Sequence, residues 1–183
     1  ILCFSLFNYG GNDQSDDINL LEKVYTKFID PFLTDLDDDI DKIVARLSFS
    51  QAREAFVQFA ERLARNKKIK EALRIVNVFV NDPDPYLPGK DPEDPENKYN
   101  EHQRIENGEE PHSITSTRGW CGWVLMKCSV LTGRDYIEQI IDFTEQLAKD
   151  KNWYVKHMAC FALSQLARNR LTVLPDNKNC LLY

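Results

Sequence analysis

Apolar residues recur at helical spacing along most of this chain. Ile18, Leu21, Tyr25, Phe28 and Ile29 fall three or four apart, which places them on one face of a helix. Before them, Ser15-Asp16-Asp17 offers a capping hydroxyl and two acids for the positive end of the helix dipole. Pro31 is expected to interrupt. A second acidic start, Asp35 to Asp41, leads into Ile40, Ile43, Val44 and Leu47. Ser48 or Ser50 can cap the next helix, where Ala52, Phe56, Phe59, Ala60 and Leu63 share a face. After the basic turn Asn66-Lys67-Lys68 come Ile69, Leu73, Val76 and Val80. These two stretches predict an antiparallel helical hairpin.

The pattern then stops. Residues 81–113 show no apolar period and hold six of the eight prolines (Pro83, Pro85, Pro88, Pro92, Pro95 and Pro111). Proline at this density excludes a helix and favours extended backbone, so a long Pro-rich loop is expected, functional or disordered, with a short helix over Tyr99 to Asn107 as a variant. Helical spacing resumes near Ile114 and runs through Trp120, Cys121, Val124, Leu125 and Cys128 to Leu131, with Gly133 as the stop. Asp135 opens a helix carrying Ile137, Ile140, Ile141, Thr144 and Leu147. Asn152 caps a last one, with Val155, Ala159, Ala162, Leu163 and Leu166. No segment has a period of two, so the predicted class is all-α.

Self-comparison adds a repeat. Thr117-Arg118-Gly119-Trp120-Cys121-Gly122-Trp123-Val124-Leu125 superposes on Val155-Lys156-His157-Met158-Ala159-Cys160-Phe161-Ala162-Leu163 at an offset of 38 residues. Each copy has a β-branched residue, a base, a small residue four on and an aromatic six on. The offset is close to the periods of helical-pair arrays. The stretch from Asn152 to Leu166 resembles the second helix of a HEAT repeat, in which Val-Arg/Lys, paired small residues and Ala-Leu-x-x-Leu recur. The resemblance covers residues 114 to 170; the 48–80 hairpin has the pairing without the Val-Arg signature. Ile114-Thr-Ser-Thr-Arg-Gly-Trp is further similar to an Ile-Asn-Ser-Val-Arg-Gly stretch of HEAT-like regions in large bacterial defence and signalling NTPases, with Thr115 and Thr117 replacing Asn and Val. No Gly-x-x-x-x-Gly-Lys-Ser/Thr motif is present. The resemblance implies an α-solenoid of antiparallel helical pairs, non-catalytic, within a larger NTPase.

Composition refines this picture. The 183 residues suit one domain, divided into N-terminal helices over 15–80, the acidic loop over 81–113 and HEAT-like repeats over 114–170. The chain begins at Ile1 and ends on apolar Cys180-Leu-Leu-Tyr183; both ends are expected to be cuts in a larger chain. Ile1 to Phe7 lacks the basic flank and small-residue cleavage site of a signal peptide. The last four residues fit a prenylation signal only superficially, with Tyr in the final place and no polybasic stretch ahead. No apolar run reaches a membrane span. Five cysteines, an odd number without a framework spacing, suggest reduced thiols and a cytoplasmic protein.

The net charge is −6, but its distribution matters more. Residues 81–113 hold ten acids and three bases, whereas 42–74 hold nine bases and three acids. The sum argues against nucleic acid; the basic helices reopen that reading, and the acidic loop is expected to screen them.

Catalytic and metal chemistry find little support. The Asp35–Asp41 run lacks the Gly and Glu of a calcium loop, having Ile40 and Arg46 there. His157 and Cys160, like Cys121 and Cys128, share helix faces, but packing thiols explain them better than zinc or a nucleophile with His112 or His157 as base. No enzyme, cofactor or metal is expected. The leading expectation is a scaffold for a protein partner, gripped by Arg118, Trp153 and Lys156 and by Arg62, Arg65, Lys67, Lys68 and Lys70 of the basic hairpin. The alternative is a nucleic-acid-binding module using the 62–74 hairpin with Arg118 and Lys156.

Overall fold

The computed structural model describes residues 18–48, 50–83, 116–132 and 135–173. The described residues form helices α1 (Ile18–Val24), α2 (Asp30–Asp35), α3 (Ile40–Arg46), α4 (Ser50–Arg65), α5 (Ile69–Phe79), α6 (Thr117–Leu131), α7 (Ile137–Ala148) and α8 (Trp153–Val173), and no strand. The all-α class stands. Ser15, Gly133 and the expected loop beyond Pro83 lie outside the described residues. Among the described residues no helix is long and apolar enough to cross a membrane.

Pro31 does not interrupt as expected. A π turn over Tyr25–Ile29 joins α1 to α2, with the Asp30 N–H reaching the Tyr25 carbonyl five residues back. Pro31 enters as the second residue of α2, where its missing N–H removes little from a ladder already widened. The turn after α2 places Asp37 and Asp38 in left-handed backbone, and the turn after α4 does the same with Lys67. At the latter, Lys67 N–H bonds Ala64 O at 2.9 Å and Lys68 N–H bonds Leu63 O at 2.9 Å, a Schellman close made without glycine. The acidic run Asp35–Asp41 divides its work: Asp39 caps α3 by accepting from Asp41 N at 2.9 Å, and Asp37 pairs with Lys42.

The strongest helix contacts skip a helix in the chain: α4 packs on α6 as well as on α5, and α8 packs on α6 as well as on α7. A ring path Phe32–Phe56–Phe79, with centroids 5.3 and 5.7 Å apart, fixes α2, α4 and α5 together. The 48–80 stretch folds into the expected hairpin, with α4 and α5 packed on one another. Helix α6 touches α4, α5, α7 and α8, whereas the main contacts of α8 are to α6 and α7. That central place explains the composition of α6. It is apolar around most of its circumference, burying Trp120, Cys121, Trp123, Val124, Leu125, Met126 and Cys128 together, as a helix with neighbours on every side must.

The α6–α8 contact is close because of one residue. A Cβ on Gly122 would sit 2.6 Å from Met158 Cβ, well inside van der Waals contact, and both atoms belong to rigid parts of helices. At the far end, Asn169 Nδ2 donates to Ser129 O at 2.7 Å and ties the same two helices again. Gly122→Ala should therefore force the helices apart and cost about 1–3 kcal/mol of stability by overpacking, although alanine is the better helix former. Urea unfolding of the variant measures this, and a stability gain would disprove the close-contact account.

Candidate functional site

Two arginine–aspartate forks connect the helices at one end of the fold. Arg53, in the first turn of α4, donates from Nε to Asp82 Oδ2 at 2.6 Å and from Nη2 to Asp82 Oδ1 at 3.3 Å. Its Nη1 reaches the carbonyl of Leu47, just before α4, at 2.6 Å. Both side chains are essentially removed from solvent, at 1% and 0% exposure. Arg118, in the first turn of α6, repeats the arrangement atom for atom. Its Nε meets Asp150 Oδ2 at 2.5 Å, its Nη2 meets Asp150 Oδ1 at 3.3 Å, and its Nη1 donates to the carbonyl of Asp82.

Asp82 thus serves both forks, the first through its carboxylate and the second through its carbonyl. The two aspartates occupy the same kind of turn. Asp82 follows α5 with its N–H on Phe79 O at 3.1 Å, and Asp150 follows α7 with its N–H on Leu147 O at 3.1 Å. Asp150 also accepts from Asn152 N at 2.8 Å, and Asn152 Oδ1 caps α8 by accepting from Tyr154 N at 2.8 Å. The Ser116 hydroxyl caps α6 from Gly119 N at 3.0 Å. Thr117, where the resembling pattern has Val, is fully buried with no hydrogen bond to its hydroxyl.

Sequence reading singled out Arg118 and missed Arg53. The only available signal was an Arg just inside the start of a helix, and the Ala52 before it lacks the β-branch that marks Thr117 and Val155. Lys156, the repeat equivalent of Arg118, is exposed. The side chain of Trp153 lies outside the described residues.

The basic hairpin is differently placed from a free cationic patch. Arg65 pairs with Glu61, Lys68 with Glu22 of α1, and Arg74 with Asp30 and Asp38 around α2, its Nη2 also reaching Thr34 Oγ1 at 2.8 Å. Arg62 is half-buried and Lys67 and Lys70 are exposed. Lys68 and Arg74 thus face carboxylates of the N-terminal helices; the screening expected of the 81–113 loop falls beyond Pro83, outside the described residues. The forks at Arg118 and the hairpin tip are separate; the structure does not gather the sequence-chosen bases into one cluster.

Burial tunes the remaining groups. Glu54, beside the Arg53 fork, has its carboxyl pushed up to about 7 by burial and by the Asp82 charge, with Arg53 opposing, and its Oε1 is buried without a hydrogen-bond partner. Burial, with the Asp82 charge adding and Arg118 opposing, holds the Cys121 thiol far above its usual range. Cys128 is pushed up to about 12 by burial and then by Glu61. Both are buried, whereas Cys160, expected as a packing thiol, is exposed. Among the described residues no group of His, Cys, Asp and Glu could hold a metal. No family model, curated protein or solved structure matches the chain.

Two predictions follow from this geometry. Arg53→Ala leaves Asp82 charged and buried, so unfolding should be easier by about 3–5 kcal/mol, read in urea; a change confined to a few tenths would show the pair to be solvated. For Glu54, the folded state holds its proton to about pH 7 while the unfolded chain releases it near its ordinary value of 4.5. The folded state thus binds more protons between these values, and stability falls as pH rises through that window, by about 3 kcal/mol in all. Glu54→Gln should remove this slope, gaining on the wild type at pH 8 and not at pH 4. Parallel stability curves for the two proteins would contradict it.

Proposed function

We propose that this chain is a non-catalytic scaffold of HEAT-like helical pairs, an α-solenoid segment that holds a protein partner, as a sensor or regulatory part of a larger NTPase. The observation that carries the reading is the recurrence of one interaction. The sequence repeat of 38 residues links α6 to α8, and the forks link α4 to α6 by the same atoms. Leu47 stands to Arg53 and Asp82 as Asp82 stands to Arg118 and Asp150. Units joined this way stack along one direction, and stacked helical units present an extended surface suited to protein partners.

Burial raises the Cys121 and Cys128 thiols, and Arg118 is engaged in its fork. For the partner surface, Lys67 and Lys70 at the tip of the α4–α5 hairpin are the exposed candidates, with the paired bases of that hairpin supplying shape more than charge.

A photo-crosslinking amino acid placed at Lys67 or Lys70 in producing cells should capture one and the same protein, and an equivalent group at Glu138 on α7 should not. Adducts from neither hairpin position would defeat the reading. Filter binding of single- and double-stranded nucleic acid by the purified chain should show no retention even at low salt, because Arg65, Lys68 and Arg74 already face carboxylates; salt-sensitive retention would favour the nucleic-acid module instead.

A further inference from the structure

The two forks and their neighbour Glu54 hold one carboxyl more than they have guanidinium groups. Asp82 pairs with Arg53 and Asp150 with Arg118, and Glu54 is the third acid. It follows Arg53 near the start of α4 and is 7% exposed; its Oε1 is buried without a hydrogen-bond partner. Arg53 does not supply one. Its Nε and Nη2 are directed to Asp82 and its Nη1 to the Leu47 carbonyl, and adjacent residues of a helix do not face each other. The cluster is therefore neutral only while Glu54 keeps a proton. A carboxylate in its place would be buried beside the charge of Asp82, which desolvation and repulsion both oppose.

The joint around this cluster is built on polar bonds. Arg53 from the start of α4 and Arg118 from the start of α6 both meet Asp82, which lies beyond the last residue of α5. The groups facing Glu54 are Arg53 on its own helix and Asp82 at the end of α5; across Asp82 stand Arg118 and the Cys121 thiol of α6. Beyond the joint the same two helices carry buried apolar residues, Val57, Ala60 and Leu63 on α4 and Val124, Leu125 and Cys128 on α6. A polar helix end opens at lower free energy than an apolar body does, and Glu54 already lies just below the surface.

We propose that Glu54 is a proton-controlled latch on the joint at Asp82. Protonated, it leaves the joint closed. When it loses its proton to water, the carboxylate turns outward and Asp82 parts from Arg53 and Arg118, while the apolar body of the helices stays packed. The closed form holds the proton to about pH 7, and the open form releases it near the ordinary 4.5. Opening therefore becomes easier as pH rises between these values and levels off above them. The latch goes beyond the loss of global stability expected of Glu54, because only the joint opens, and it acts within one chain whatever the scaffold binds.

Cys121 and Cys128, both buried on α6, report where the opening occurs. Cys121 lies at the joint, and Cys128 lies farther along the helix, near Glu61. The full chain is labelled with a pyridyl disulfide, which reacts with thiols in acid as well as at neutrality, and the modified thiols are located by mass spectrometry. Each rate is divided by that of the same thiol in the urea-unfolded chain at the same pH, which removes the thiol's own titration. The Cys121 value should exceed that of Cys128 and rise about 40-fold from pH 5 to pH 7. It should change little in urea below the unfolding transition, because a small opening exposes little surface. Glu54→Gln, with helical circular dichroism of wild-type strength, should lose the rise. Equal values for the two thiols with the same steep urea dependence would show that only global unfolding uncovers Cys121, and would overturn the latch. So would a rise that survives in Glu54→Gln or, in the wild type alone, one that continues undiminished above pH 7.

Discussion

The fully buried contact between Arg53 and Asp82 is the constraint on which the arrangement of helices depends. A guanidinium and a carboxylate removed from water lose their hydration, and attraction between them compensates only when the geometry is good and the remaining donors are used. Here the fork supplies two bonds and the Leu47 carbonyl takes a third donor. Those requirements fix the start of α4 against the end of α5 and against the turn before α4. Because the carbonyl of the same Asp82 accepts from Arg118, the start of α6 is set by the same residue. Arg118 then reaches Asp150 and, through Asn152, the start of α8. One chain of charge-assisted bonds thus aligns three helix starts that share no sequence neighbourhood.

Apolar spacing made the helices legible because each must bury one face, and the faces read from sequence on α4, α5 and α7 are the buried ones. Three features were not legible for three different reasons. Proline is an interruption only if the ladder around it is α-helical, and the π turn ahead of Pro31 changes that premise. Arg53 carries no local signature: Phe56, Val57 and Gln58 follow it where Cys121, Gly122 and Trp123 follow Arg118, so the small residues of the α6 pattern are absent at that register and the repeat was hidden. Cys160 looked like a packing thiol because α6 has a small residue at the same register, and what separates them is the presence of a neighbour, which sequence does not encode locally.

Charge shows the same lesson at longer range. The bases of residues 42–74 suggest a polyanion surface when counted along the chain. In space, Glu22, Asp30 and Asp38 stand opposite Lys68 and Arg74. Exposed pairs of this kind contribute little stability, about 0–1 kcal/mol each, and they offset part of the positive charge of the hairpin.

The spacing of the forks also locates the long Pro-rich stretch. Arg118 and Asp82 are joined by a hydrogen bond although 36 positions separate them, whereas Asp150 and Lys156, the corresponding pair in the next unit, are only six apart. About thirty residues therefore stand inside what is, one unit later, a tight turn between two helices. On one side Asp82 is held by Arg53 and Arg118, and on the other Ser116 is held as the cap of α6. Closing a chain segment costs free energy that grows only with the logarithm of its length, roughly 0.6 kcal/mol per doubling, so an anchored turn can be lengthened with little penalty. The same fork that aligns the helices holds the start of α6 against the end of α5 across this long insertion in the sequence.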